Sequence, residues 1–130
     1  MFFNRKKGQK YGAVKTCVNG VVFSSKAEAA RYQTLLGYVG KTISDLELQP
    51  RFVLQEKFRH RDENIRAIEY VADFKYVKWP GNTPEHTVVE DVKGMILPEF
   101  KLKLKIWKKL YGHLYEFRIV KGMKQIKSAP

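Results

Sequence analysis

A single cysteine, Cys17, stands in 130 residues. That excludes an intrachain disulfide and any thiolate metal cluster within one chain. Acidic residues are scarce as well: 13 Asp and Glu against 25 Lys and Arg leave a formal net charge of +12. A field of that sign and size favours a polyanionic partner, most commonly nucleic acid, although a merely solvated or ribosomal-type basic surface would carry the same charge. An anionic membrane surface fits less well, because no basic amphipathic helix adjoins an apolar anchor. Charges interrupt every apolar run, and Met1-Phe2-Phe3 is too short for a signal-peptide core. The expectation is a soluble, cytoplasmic protein. No internal repeat, low-complexity tract or interdomain linker is visible. The hydrophobic share of 44% and aromatic share of 13% exclude a disordered chain, and the length suits one domain.

The chain opens with a basic arm, residues 1–12, and closes with a basic polar tail, 122–130; the domain between them spans 13–121. Val14 to Phe23 alternates around Asn19-Gly20, the signature of a small hairpin. Ser25-Lys-Ala-Glu28 matches a capping box and opens a helix with Ala29, Tyr32, Leu35 and Leu36 on its apolar stripe, ending at Gly37 or Gly40. Leu46, Leu48, Phe52 and Leu54 alternate across Pro50, which reads as a strand broken at the proline. His60 to Asn64 reads as a polar turn. Ile65 to Trp79 reads as one long strand, with Ile68, Tyr70, Ala72, Phe74 and Tyr76 on one face and Asp73 on the other. After a turn cluster at Pro80–Pro84, His86 to Lys93 should return antiparallel. Pro98 and Glu99 suit the first turn of a second helix, which Gly112 ends. Leu114 to Val120 is a last strand. The order is helix, three strands, helix, strand, an α/β class.

Charged groups sit inside two apolar strands, in Tyr70-Val71-Ala72-Asp73-Phe74 and in Val88-Val89-Glu90-Asp91-Val92-Lys93-Gly94. Burying a carboxylate among such residues is costly unless a cation or hydrogen bonds compensate. Alternation puts Asp91 and Lys93 on one face, about 7 Å apart, and Glu90 and Val92 on the other. With the Asp73 strand alongside, two carboxylates and an ammonium converge, a set suited to a hard divalent cation and a phosphate. Asp73 and Asp91 are the expected ligands, with the Val92 carbonyl as a third. Lys93 would orient the attacking water or neutralise charge on the phosphate. Glu28, in the first turn of its helix, is a fourth candidate, although a capping role alone would explain it. Glu90 and Gln49 are candidates for supporting positions behind the ligands, and strand register leaves open whether Glu90 or Asp91 is the ligand. Arg5, Lys6, Lys7 and Lys10 of the arm and Lys101, Lys105 and Lys108 of the second helix are the expected phosphate contacts. Tyr11, Phe58, Trp79 and Tyr115 could stack on unpaired bases or belong to the core. His60, His86 and His113 lack ligand spacing and receive no role.

The pattern Asp73 … Asp91-Val92-Lys93 on an αβββαβ order resembles the PD-(D/E)XK nuclease superfamily, with Ala72 in place of the motif's proline. More narrowly, Gly20-Val-Val-Phe23-Ser-Ser25-Lys-Ala-Glu28-Ala29, Leu48-Gln49-Pro50-Arg-Phe52, Tyr70-Val-Ala-Asp73-Phe74 and Glu90-Asp91-Val-Lys93-Gly94 are similar to a phage and prophage family long listed as a domain of unknown function. The likeness covers roughly residues 10–120. It implies a restriction-endonuclease-like core, a mixed central sheet flanked by helices. It also implies a phage- or prophage-encoded DNA endonuclease dependent on Mg²⁺ or Mn²⁺, with Glu28, Asp73, Asp91 and Lys93 at the motif positions. Superfamily relatives include phage endonuclease I and Holliday junction resolvases, which cut branched DNA; for that substrate a twofold homodimer is expected. A flap, single-strand or restriction-like nuclease, or a non-catalytic basic nucleic-acid-binding protein, are the alternatives.

Overall fold

The computed structural model describes residues 15–79 and 86–121. The arm 1–12 with Arg5, Lys6, Lys7 and Lys10, Tyr11, the turn cluster at 80–84 and the tail 122–130 lie outside the described residues. Asn19 and Gly20 both adopt positive φ, 51° and 79°, the backbone a tight two-residue hairpin requires. They join β1 (Thr16–Val18) to β2 (Val21–Phe23) as an antiparallel pair. The Ser25 side chain then accepts the Glu28 N–H at 3.1 Å and caps α1 (Lys26–Leu36). Gly37 closes that helix.

The strand expected to break at Pro50 does so. Gln49 takes φ 50° between β3 (Ile43–Leu48) and β4 (Arg51–Gln55). Beyond β4 the chain differs from the sequence reading. The expected polar turn at His60–Asn64 narrows to Arg61-Asp62, and its flanks pair as β5 (Phe58–His60) and β6 (Glu63–Ile65). The expected single strand over Ile65–Trp79 is divided into the end of β6, β7 (Ile68–Val71) and β8 (Phe74–Lys78). The division at Ala72-Asp73 faces the one at Gln49-Pro50. The Gln49 N–H donates to the Asp73 carbonyl at 2.9 Å, and the Ala72 N–H to the Pro50 carbonyl at 3.1 Å. Both strands of the ribbon therefore kink together without orphaning those backbone groups.

The kink reverses the faces. Tyr70 and Ala72 pack with Phe52, Leu54, Val89, Phe100 and Trp107, whereas Phe74 and Tyr76 pack with Phe23, Ala29, Leu35, Ile43, Val88, Val92 and Val120. Unbroken alternation would have kept all four on one side.

β9 (His86–Lys93) pairs antiparallel with β8, β8 antiparallel with β3, and β10 (Glu116–Lys121) parallel with β9. The sheet order is β10-β9-β8-β3. The parallel step needs a crossover, which α2 (Pro98–Tyr111) supplies. The α1 core lies on one face of the sheet and the α2 core on the other, so β9 is buried on both, from Val88 through Val92. The protein is thus an α/β fold with a mixed central sheet and two helices among the described residues. None of the described helices is long and apolar enough to cross a membrane.

Candidate active site

Two-residue alternation along β9 sends Val89, Asp91 and Lys93 toward α2 and Val88, Glu90 and Val92 toward α1. Asp91 is 2% exposed. Its Oδ2 accepts the Tyr70 phenol and lies 3.4 Å from Lys93 Nζ. Lys93 Nζ in turn stands 4.5 Å from the centre of the Phe100 ring, a position in which the ring face favours the cation. Burial first, then the Asp91 charge, pushes the Tyr70 hydroxyl far above its ordinary range. Tyr70 therefore stays a donor to Asp91 at every physiological pH.

Asp73 arrives through the kink. The β8–β9 ladder ends at the Phe74–Glu90 pair. Beyond it the Asp73 N–H donates to the Glu90 carbonyl at 3.1 Å, and the Val92 N–H donates to Asp73 Oδ2 at 2.7 Å. The carboxylate thus continues the ladder where the backbone has turned away. The Asp91 carboxyl stands close enough to Asp73 to favour a proton on it, both by its charge and as a hydrogen-bond partner. Burial, Asp91 and Glu28 together push Asp73 up to about 9. Glu28 reaches the same place from α1. Its carboxylate accepts the Ser24 hydroxyl at 2.8 Å, and burial with the nearby Asp91 charge raises it while Lys93 lowers it. The capping box is therefore only half formed: Ser25 caps the helix, while the Glu28 side chain bonds Ser24 at the edge of the acid cluster.

Glu28, Asp73, Asp91 and Lys93, from three separate segments, share one site. Among the described residues no three carboxylate, imidazole or thiolate groups enclose a common point at metal-coordination distance. The donor chemistry nevertheless fits a hard divalent cation. Two neighbouring buried carboxyls, with a third carboxylate in electrostatic range, raise one another's proton affinity, and a cation would relieve the same repulsion. The Val92 carbonyl lies on the same edge of β9 as its N–H, facing Asp73, because both groups of a strand residue point the same way.

Glu90 does not enter this site. It is 0% exposed and its carboxylate turns to α1. There Arg31 grips it bidentately, Nε to Oε1 at 2.8 Å and Nη2 to Oε2 at 2.6 Å, and the Tyr76 hydroxyl donates to Oε2. Register thus assigns Asp91, not Glu90, to the acid cluster. Sequence reasoning missed Arg31, Tyr70 and Tyr76. The signal was an arginine on the apolar stripe of α1, three residues after Glu28 and four before Leu35, matching the acid inside Val88–Val92. Gln49 is exposed, and what it contributes is its backbone bond to Asp73.

Lys101, Lys105 and Lys108 are exposed and, spaced i, i+4, i+7, form one stripe along α2. Trp79 is exposed with its Nε1 on Ser44 Oγ at 3.0 Å, and Phe58 is exposed on β5. Tyr115 is packed against Phe52 and Trp107 and belongs to the core. Of the histidines, His86 bonds Glu116 at 2.7 Å.

The family described as "Protein of unknown function (DUF1064)" matches residues 8–127. The chain belongs to that family. The match spans both helices, the central sheet and all four clustered side chains of this DUF1064 protein. No curated protein and no solved structure matches it.

Proposed function

We propose that this DUF1064 protein is a metal-dependent DNA endonuclease with a restriction-endonuclease-like core, hydrolysing phosphodiester bonds in branched DNA during phage recombination or DNA processing. One observation carries the reading. Three carboxylates and an ammonium from α1, the β7–β8 kink and β9 converge on one place, where burial and mutual repulsion raise Asp73 and Glu28. A purely structural cluster gains nothing from that arrangement, since buried like charges destabilise unless something binds between them.

Asp73, Asp91, Glu28 and the Val92 carbonyl would hold the ion. Bound Mg²⁺ or Mn²⁺ supplies Lewis-acid stabilisation of phosphate oxygens and an acidified water. The chain's own groups do the positioning. The Val92 N–H fixes one oxygen of Asp73 and so sets the orientation of the carboxylate. Tyr70 and Lys93 both hold Asp91 by Oδ2, which sets the direction of Oδ1. Lys93 is half-buried at the end of β9 and presents a positive charge to a scissile phosphate and the water beside it. The stripe Lys101, Lys105 and Lys108 contributes sequence-independent attraction to the DNA backbone. A resolvase would in addition act as a twofold dimer, placing two such sites symmetrically.

A panel of four-way junction, flap, single-stranded and linear duplex DNA, each with Mg²⁺, Mn²⁺ or chelator, tests the proposal. Cleavage should need the metal and favour the junction, and Asp91→Asn should abolish cutting while DNA is still bound. Binding that is identical with and without chelator, and no cutting of any substrate, would leave a non-catalytic DNA-binding protein instead.

A further inference from the structure

Beside Lys93 the surface opens into a cavity of about 370 Å³, between the end of β7, the β9–α2 connection and the first turns of α2. That is within the range of about 300–1,000 Å³ typical of small-ligand sites. Its rim is open to solvent and mixes apolar with charged side chains: Met95 is 67% exposed and Leu97 53%, Val71 borders the same opening, and the carboxylates Glu69 and Glu99 line it as well. Three exposed apolar side chains around one opening are a poor use of a chain this rich in charge unless something covers them. Two ammonium groups, Lys93 and Lys103, border the same opening. Lys103 spends donors on the Glu69 carbonyl at 3.1 Å and on Glu99 at 3.4 Å, and an ammonium has three. The cavity also adjoins the acid cluster. Tyr70 lines it and holds Asp91, and Lys93 lines it and borders the same carboxylate.

We propose that this cavity receives an unpaired nucleobase adjacent to the phosphodiester held at Asp91 and Lys93, so that the site acts on strands whose stacking is already interrupted. The inference rests on the nuclease reading of the neighbouring site. The occupant has to be flat, largely apolar on its faces and tethered to an anion. Exposed apolar side chains beside two ammonium groups, next to a phosphate-binding centre, complement a nucleotide in that way, and the two lining carboxylates are offset by their own partners, Glu69 by Arg51 and Glu99 by Lys103. A base inside intact duplex would first have to be unpaired and unstacked, whereas one at a junction, flap or single strand enters without that penalty. Lys103 and Glu99 supply one donor and one acceptor at the rim for its polar edge.

The test is binding of 2-aminopurine-labelled junction DNA by the full chain, as Asp91→Asn with Mg²⁺ and, separately, as wild type in chelator, so that a folding defect in one preparation does not decide the matter. The label is stepped through the nucleotides around the branch point. Brightening at one or two adjacent nucleotides is expected, as the base leaves the stack. Met95→Ala/Leu97→Ala should abolish that brightening and weaken binding about tenfold, the size of one base-stacking interaction. An abasic nucleotide at the same position should weaken wild type equally and be indifferent to the double variant. Tight binding with no brightening at any position, or equal loss on intact and abasic DNA, overturns the inference. Cleavage without brightening removes the cavity's role and leaves the nuclease reading intact. Brightening without metal-dependent cleavage does the reverse.

Discussion

Replacing Arg31 by methionine isolates the buried ion pair of the core. Arg31 and Glu90 are 2% and 0% exposed, and their two hydrogen bonds, at 2.8 and 2.6 Å, are bidentate. Arg31→Met keeps most of the apolar volume and leaves the Glu90 carboxylate with Tyr76. Removing one partner of a buried pair costs about 3–5 kcal/mol, because the remaining charge stays desolvated. Against a total stability of about 5–15 kcal/mol for a domain, that is a fifth or more, and it corresponds to a fall in Tm of about 10–20 °C at this size. The converse substitution is more informative. Arg31→Met with Glu90→Leu removes both charges, and the main residual penalty is the orphaned Tyr76 hydroxyl, about 1–3 kcal/mol. Adding Tyr76→Phe should remove that penalty and return the triple variant to within about 1–2 kcal/mol of wild type. Urea melts of the wild type and the single, double and triple variants measure each step. A single Arg31→Met loss below about 1 kcal/mol would refute the reasoning, since only a solvated pair is so weak.

Glu28→Gln keeps the Ser25 cap and the helix, so thermal stability should hold within about 0.5 kcal/mol while metal-dependent cutting is lost; unchanged cutting would reduce Glu28 to a helix-terminus residue. Lys93→Ala should lower turnover more than DNA affinity, read as kcat against Kd, and the opposite split would make Lys93 a simple phosphate contact. Asp73 titrates near 9 when folded against an ordinary value of 3.8, so metal-free protein should hold this contribution fully below about pH 4 and lose it as pH rises through about 9. Mg²⁺ favours the charged form, so the rise in Tm it produces should grow from pH 6 to pH 9, and Asp73→Asn should flatten that trend. Substituting Lys101, Lys105 and Lys108 together by alanine should reduce the slope of log K against log salt by about 2–3, at roughly 0.9 for each duplex phosphate that is no longer neutralised. An unchanged slope would place the DNA elsewhere.

Much of the fold was legible because its elements carry local signals. Asn19-Gly20 specifies a tight turn, Ser25 a helix start, Pro50 a strand break and Pro98 a first helical turn, and each stands where the sequence puts it. The two faces of β9 were legible too, since period-two alternation alone separates Asp91 and Lys93 from Glu90. The failures share a cause. Apolar residues at 68, 70, 72, 74 and 76 keep perfect alternation through the kink, so the pattern gives no sign that the chain changes side at Ala72-Asp73. A residue buried on either face of a three-layer structure looks the same in sequence. The β5–β6 pairing was hidden for the opposite reason: five of its six residues are exposed and four are polar, so no periodicity marked them.

The kink that sequence could not show is what assembles the site. With straight strands Tyr70 and Tyr76 would lie on one face of the sheet, and their hydroxyls could not serve Asp91 and Glu90, which point in opposite directions from adjacent positions of β9. Reversal at Ala72-Asp73 gives each acid its own phenol, Tyr70 on the α2 side and Tyr76 on the α1 side. The same reversal ends the β8 ladder early, so that the Val92 N–H is met by the Asp73 carboxylate rather than by a carbonyl. The Arg31–Glu90 pair locks the neighbouring position of β9 to α1, the helix that also carries Glu28. A one-residue slip of β9 would exchange Glu90 and Asp91, burying an unpaired acid under α1 and emptying the cluster. The structural pair and the candidate site are thus enforced by one register, which is why a core arginine remote from any substrate is expected to matter to both.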